Sequence, residues 1–463
     1  MENNVVNFGC RLNAYETEII KSFLKKSEQN NLIVFNSCAV TAEAERQLRQ
    51  SIRKHKKQNP QAKIIVTGCA AQINPETYAK MPEIDLVLGN KEKLEYHNYD
   101  LNNKNHKKEI KNTNSTIDDN EILHKDLIFL KSKEKSTDFL SNKDLSKIKV
   151  NDILSLRNTA PHLVSYFENH VRAFLEIQNG CNHRCTFCII PFGRGNSRSV
   201  PLGEIVKNVR ELVKNGHNEI VLTGVDISDY GKDLEAPITL SQMIRRLLRL
   251  VPELPRLRLS SIDVAEIDKD FFNLLGNEAR FMPYLHLSVQ SGDDLILKRM
   301  KRRHNRSQVI EFCQKARQIR PDITFGADII AGFPTESEEA LQNSINLIKE
   351  ADLIFTHIFP YSQRDGTPAA KMPQIDKKII KERARKLRQA GQLQLNSYLE
   401  KQIGKEFFAI IEKDNFGKLE NFLDVKIENA KNLNRGSIYK VRITDNDCDK
   451  LKANLCHIIP IAI

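Results

Sequence analysis

Between about residues 171 and 359 the chain repeats one pattern six times, a short β-rich apolar run followed by an amphipathic helical stretch. The strands are expected at Val171–Ile177, Ile220–Thr223, Leu257–Ser260, Tyr284–Val289, Ile323–Ile330 and Leu353–Phe359. Helical patterns separate them at Leu202–Lys214, Leu240–Leu250, Leu295–Met300, Gln308–Ile319 and Ala340–Lys349. Strands joined through helices run parallel, and their right-handed crossovers all turn the same way. Six such units predict a parallel sheet rolled into most of a barrel, a partial (β/α)6 architecture whose ligands sit at the carboxyl ends of the strands.

A chain of 463 residues is too long for that barrel alone. Residues 1–100 alternate β-rich runs (Val5–Phe8, Leu32–Phe35, Lys63–Val66, Asp85–Leu88) with helical ones (Ala14–Lys26, Ala42–Lys57), which predicts a small doubly wound α/β domain. Residues 101–149 contain no Gly, Pro or Cys, and Lys, Asn, Ser and Asp recur there without period. This reads as a solvated insertion or linker with one marginal helix near Ile122–Leu130. The barrel domain is placed at 165–397 and closes with a basic helical stretch over Asp376–Gln394. Residues 398–463 carry short β-like runs at Phe407–Ile411, Leu423–Ile427, Ile438–Ile443 and Cys456–Ile461, predicting a small OB-like β-barrel. The fold class is therefore α/β with a β-barrel appended.

Charge narrows the partners. Lys plus Arg number 71 against 59 Asp plus Glu, a net charge of +12, which favours a polyanion such as nucleic acid. The alternative is a general drift toward lysine. No apolar run approaches the ~18 residues that cross a bilayer, and the N-terminus does not resemble a secretory leader, so a cytoplasmic location and no membrane partner are expected. Nine cysteines in a reducing compartment then direct attention to metal or redox chemistry.

The sharpest cysteine signal is Gly180-Cys181-Asn182-His183-Arg184-Cys185-Thr186-Phe187-Cys188, directly after the first barrel strand. Three thiolates on one loop can hold three corners of a cubic iron–sulfur cluster and leave the fourth iron open. Zinc would want a fourth protein ligand, and His183 lies too close to its flanking cysteines to complete a tetrahedron. This spacing at the mouth of a six-unit barrel resembles the radical S-adenosylmethionine superfamily. The resemblance implies that the open iron chelates the cofactor, that one electron cleaves its sulfonium to a 5′-deoxyadenosyl radical, and that Phe187 packs beside the adenine. Gln290 and Asp328 at strand ends, with Ser261, are the expected polar contacts of the cofactor.

A second set is dispersed. Cys10, Cys38 and Cys69 each come just after a predicted strand, and in a parallel sheet all such positions share one edge, so three separate cysteines should converge there. Three small buried hydrophobes are the plain alternative. Cys313 shares a helical face with Val309, Phe312 and Ala316 and reads as core, while Cys448 and Cys456 lack a third partner.

The strings Gly9-Cys10-Arg11-Leu12-Asn13, Asn36-Ser37-Cys38-Ala39-Val40-Thr41 and Val66-Thr67-Gly68-Cys69-Ala70-Ala71-Gln72 resemble the N-terminal domain of the methylthiotransferases, which join it to a radical barrel and a C-terminal TRAM domain. The segments from Cys188 to Ser199, Glu219 to Asp226 and Phe359 to Pro368 resemble the branch acting on N6-threonylcarbamoyladenosine in tRNA. That likeness implies two [4Fe-4S] clusters, on Cys10, Cys38 and Cys69 and on Cys181, Cys185 and Cys188, together with S-adenosylmethionine. It also implies methylthio transfer to C2 of the adenosine beside the anticodon, with the tRNA anticodon stem-loop as partner and flavodoxin or ferredoxin as electron donor. A monomer is expected. Arg194 and Arg198, just past the cluster loop, and Arg302 and Arg303, in the run Lys298 to Arg306, are the expected RNA contacts. Isopentenyladenosine in tRNA, a ribosomal-protein aspartate, or a purely structural role for the clusters in a redox-responsive RNA-binding protein are the competing readings.

Overall fold

In the computed structural model, which describes residues 3–27, 30–100, 141–157, 164, 167, 170–430 and 432–456, the chain divides into two units. The first comprises residues 1–155 together with Phe192–Arg194; the second comprises Leu156–Pro191 and Gly195–Ile463.

The first unit is one five-stranded sheet: β1 (Asn4–Asn7), β2 (Leu32–Ser37), β3 (Lys63–Gly68), β4 (Leu86–Leu88) and β5 (Ile148–Lys149). All neighbours pair in parallel and the order is β1-β2-β3-β4-β5. That order corrects one expectation. A doubly wound sheet reverses its strand order at a switch point, whereas this one proceeds in a single direction; the alternation of β and α runs identifies the elements but not their sequence in space. Val34, Ile65 and Leu88 from the strands meet Ile20 and Leu24 from the helix Arg11–Lys26 in its core. The stretch read as insertion ends earlier than expected, since Asn142–Leu145 is helical and Ile148–Lys149 supplies the fifth strand. The helix expected near Ile122–Leu130 lies outside the described residues.

The second unit opens with β6 (Arg172–Glu176) and a small antiparallel pair, β7 (Gln178–Asn179) with β8 (Arg198–Ser199). It continues through β9 (Glu219–Thr223), β10 (Arg256–Leu259), β11 (Ser261–Ile262), β12 (Tyr284–Gln290), β13 (Thr324–Ala331) and β14 (Leu353–Pro360). The pairing runs β6-β9-β10 and β11-β12-β13-β14, parallel throughout, with β10 and β11 as two halves of one strand interrupted at Ser260. Six parallel positions are thus present, as the six βα repeats require. The basic stretch becomes a 24-residue helix, Lys377–Glu400, which buries Ile380, Ala384 and Leu387 while Lys377, Lys378, Lys381, Arg385, Lys386 and Arg388 stay exposed.

Beyond it β15 (Glu406–Lys413), β16 (Phe416–Leu419), β17 (Asp424–Ile427), β18 (Ile438–Asp447) and β19 (Lys450–Leu455) close a five-stranded barrel. The last described strand is Lys450–Leu455, whose alternation of charged and apolar residues buries Leu451 and Ala453; of the run expected at Cys456–Ile461, residues 457–461 lie outside the described residues. The β16–β17 turn of this small barrel fills the amino-terminal end of the large one. Phe422 stacks on Tyr284 with ring centroids 4.3 Å apart, beneath the cations of Lys418 at 4.2 Å, Arg172 at 5.1 Å and Arg258 at 5.3 Å. Arg258 also donates to the Leu419 and Glu420 carbonyls and pairs with buried Glu219 at 2.6 Å. Phe422 holds φ +71°, a conformation rare for a bulky side chain, and the stack keeps it there. Phe422→Ala should therefore destabilise the second unit by roughly 2–4 kcal/mol, measured by urea unfolding followed by circular dichroism. A loss below about 1 kcal/mol, the ordinary range for surface changes, would show that the turn only rests on the barrel.

Candidate metal centres

Each cysteine set is positioned by backbone geometry. In the first unit the parallel register places Asn7 beside Asn36 and Ser37 beside Gly68, so the residues that follow β1, β2 and β3 leave the sheet at one edge. Cys10 caps the helix Arg11–Lys26, Cys38 follows β2, and Cys69 opens the short helix Cys69–Ile73. Gly68 adopts φ +94°, and a Cβ there would lie 2.3 Å from the Ser37 carbonyl oxygen, so only glycine lets the chain turn into Cys69. The thiols lie close enough that Cys69 makes both Cys10 and Cys38 harder to ionise, and Cys10 adds to the effect on Cys38. Burial, followed by Cys69, pushes the Cys38 thiol up to about 11, and burial raises Cys10 as well.

Around this edge lies a buried polar network that sequence reading missed. The Arg194 Nε donates to the Cys69 Sγ at 3.0 Å, and its Nη2 donates to Asn13 Oδ1 at 2.6 Å and Glu16 Oε2 at 3.0 Å. Glu16 also accepts from the Lys93 ammonium at 2.6 Å, and Lys93 reaches Asn36 Oδ1 at 3.3 Å. Arg194 is 3% exposed, and Glu16 and Lys93 are fully buried, so these are charges without water. Burial would raise the Glu16 carboxyl, yet Arg194 and Lys93 together hold it down to about 2. Asn13 and Glu16 fall three residues apart on one helix, directly after Cys10, which is the signal that marks them as facing the thiols.

In the second unit Cys181, Cys185 and Cys188 occupy the loop between β7 and β8, at the carboxyl end of the barrel strands. Gly180 precedes them at φ +73°, where a Cβ would fall 1.9 Å from the Asn196 carbonyl oxygen. Burial pushes the Cys188 thiol up to about 12 and, with the neighbouring Asp226 carboxylate, raises Cys181 too. The loops after the strands add a ring of opposed charges. His183 Nε2 pairs with Asp226 at 2.7 Å and Glu266 at 3.4 Å, and these two hydrogen bonds raise its pKa to about 9. Asp226 Oδ2 lies 3.8 Å from the Cys181 sulfur.

Three of the arginines expected to contact RNA are engaged internally. Arg194 is committed to Glu16 and Cys69. Arg198 is 5% exposed and donates to the Asn196 carbonyl at 2.7 Å. Arg302 pairs with Asp263 at 2.9 Å, donates to the Ser288 carbonyl at 2.7 Å, and points Nη1 at the Cys185 sulfur, 3.7 Å away. A basic residue beside a cysteine loop is drawn to the local thiols and carboxylates before it is available to an external phosphate. Arg303 pairs with Glu266 but keeps 38% of its side chain exposed, and Lys298 and Lys301 beside it are exposed.

The expected cofactor residues separate. Phe187 packs against Phe333, ring centroids 6.4 Å apart, at the border of an apolar cluster with Ile296 and Met300. Gln290 ends β12 with φ +72°, the kind of backbone outlier that gathers at functional positions. Ser261 is the register partner of His286, and Asp328 accepts from His286 at 3.0 Å with His357 3.5 Å away, so its carboxylate faces two imidazoles rather than standing free.

Comparison with known proteins agrees with this geometry. Residues 175–348 match the model of the Radical SAM superfamily, and residues 3–89 match that of uncharacterized protein family UPF0004. The chain is 51% identical to the threonylcarbamoyladenosine tRNA methylthiotransferase MtaB of Rickettsia prowazekii (strain Madrid E), over 96% of both chains. It is 36% identical to the MtaB of Aquifex aeolicus (strain VF5), over 94% of this chain and 98% of that one. Among solved structures, the radical S-adenosylmethionine methyltransferase TsrM of Kitasatospora setae shares the fold at TM-score 0.52 and 14% identity, over 80% of this chain and 74% of that one.

The Glu16 arrangement is testable on stability. Glu16→Ala leaves Arg194 and Lys93 buried without their carboxylate and should cost about 3–5 kcal/mol, read as an earlier urea transition of the first unit. An unchanged transition would mean that water or another carboxylate replaces it.

Proposed function

The chain belongs to the MtaB family of threonylcarbamoyladenosine tRNA methylthiotransferases, and on that premise we propose that it places a methylthio group on C2 of N6-threonylcarbamoyladenosine beside the anticodon of tRNA. The observation that carries the reading is the presence in one chain of two separate three-cysteine sets, each at the carboxyl edge of a parallel sheet. The family's cofactors are two [4Fe-4S] clusters and S-adenosylmethionine. The donor sets fit them: three thiols apiece, buried charge beside each, and no fourth cysteine in either loop set. When bound, the clusters supply the electron that cleaves the cofactor, at Cys181, Cys185 and Cys188, and a place to hold sulfur, at Cys10, Cys38 and Cys69. The adenine C2–H bond has no useful acidity, so acid–base residues alone have no handle on it.

The chain's own residues bind and orient. Asp226 and Glu266 tie His183, on the cysteine loop, to the loops that follow β9 and β11, and Asp263 and Glu266 hold Arg302 and Arg303 beside it. Phe187, Ser261, Gln290 and Asp328 remain our assignment for the cofactor. A base in an anticodon loop can be splayed into a pocket at modest cost, and the exposed Lys298, Lys301 and Arg303 are suited to its phosphates. We place the work in domains at 1–100 (with its fifth strand at Ile148–Lys149), 165–397 and 398–463. No helix among the described residues is long and apolar enough to cross a membrane; a cytoplasmic monomer reduced by flavodoxin or ferredoxin is the setting we infer.

Anaerobic assays separate the roles. Replacing Cys10, Cys38 and Cys69 by Ala should leave 5′-deoxyadenosine formation measurable and abolish the methylthio nucleoside in tRNA digests analysed by mass spectrometry. Cys185→Ala should abolish both. Methylthio product from the N-terminal triple variant would refute the division of labour, and product on isopentenyladenosine alone would refute the substrate.

A further inference from the structure

Arg194 follows Cys188 by six residues in sequence, yet Phe192–Arg194 belongs to the first unit, where the guanidinium is buried among the N-terminal thiols. Its donors are shared out. Nε is given to Cys69, Nη2 to Asn13 and to one Glu16 oxygen, and Nη1 to the other Glu16 oxygen. Asn13 in turn lies 3.9 Å from the Cys10 sulfur, and Asn90 Nδ2 lies 3.8 Å from Cys69 while also donating to the Gly193 carbonyl. Gly193 is held close as well, since a Cβ there would stand 3.2 Å from the Cys69 Cβ.

A structural reason alone does not account for this arrangement. A buried Arg–Glu pair is costly to desolvate, and an apolar pair of equal volume commonly packs as well or better. Here the carboxylate faces two cations, Arg194 and Lys93, so the pocket holds one positive charge beyond what Glu16 neutralises. That surplus sits against three thiols. A guanidinium has its donors in a fixed fork, so Glu16 sets the plane and the plane aims Nε at the sulfur.

We propose that Arg194 is a positioning residue for the N-terminal cluster: it fixes Cys69 by a charge-assisted hydrogen bond and offsets the negative charge that three thiolates bring to the cluster. Glu16 and Asn13 hold the guanidinium in that orientation. The inference rests on the reading of Cys10, Cys38 and Cys69 as cluster ligands.

The test uses the full chain with Cys181, Cys185 and Cys188 changed to Ala, so that only N-terminal iron is read. This parent should bind about four iron on anaerobic reconstitution. Adding Arg194→Gln should make cluster retention against a chelator roughly ten-fold poorer, and should lower the midpoint potential and alter the electron paramagnetic resonance signal of what remains. Arg194→Lys, which restores charge but not the fork, should recover the potential more fully than the retention. Retention, potential and signal equal to the parent's in Arg194→Gln would overturn the proposal. Should that variant be insoluble, Arg194→Lys decides: parental values in all three overturn it, and poorer retention with a changed signal supports it. A parent without iron would overturn the underlying ligand reading, and this inference with it, and is distinguishable because it appears before Arg194 is touched.

Discussion

In a parallel sheet every strand ends on the same edge, and this single constraint makes both thiol sets possible. Cys10, Cys38 and Cys69 are far apart in sequence, and no local motif could gather them. They converge because β1, β2 and β3 run the same way in matched register and each ends within three residues of a cysteine. The barrel uses the same edge differently, with all three cysteines on one loop and the later loops supplying charge. Glycine makes both turns feasible, since Gly68 and Gly180 adopt positive φ where any side chain would strike backbone.

Charge then decides how such sites are finished. Thiols at a sheet edge resist ionisation where protein replaces water around the sulfur, as the raised Cys10, Cys38, Cys181 and Cys188 show. A site intended to hold thiolates must therefore bring cations into the same dry volume, and those cations need carboxylates to fix them. Both sites follow this logic. Arg194 is oriented by Glu16 beside Cys69, and Arg302 by Asp263 beside Cys185. A salt bridge on the surface contributes little, whereas these are shielded from water and directional, so their geometry is specific as well as their charge.

Periodicity made the elements legible. All six barrel strands, four of the five strands of the N-terminal sheet and three of the five strands of the terminal β-barrel could be read from short apolar runs, and the convergence of the three dispersed cysteines followed from their places at strand ends. What could not be read depended on contacts between distant residues. The strand order of the first sheet is one example, and Ile148–Lys149 is another, because a two-residue strand has no period to detect. The internal partners of the arginines were hidden for the same reason. Arg194 and Arg302 look like phosphate ligands when only their neighbours in sequence are seen, and become internal ligands once Glu16 and Asp263 are brought beside them.

That reassignment bears on how a polyanion is met. Beneath the large barrel, Arg172, Arg256 and Arg258 are likewise drawn inward, toward Glu219, Glu412 and the Phe422 ring, at the amino-terminal end of the strands. Parallel-sheet ligands bind at the carboxyl edge, where the cysteine loop lies. Among the described residues, the Lys377–Glu400 helix and the Lys298–Arg303 loop keep lysines and arginines exposed. Lysine serves as a mobile point charge and arginine as a fixed fork. The chain thus spends several forks on internal geometry, and the surface charge that remains suits attraction to a backbone rather than readout of a base.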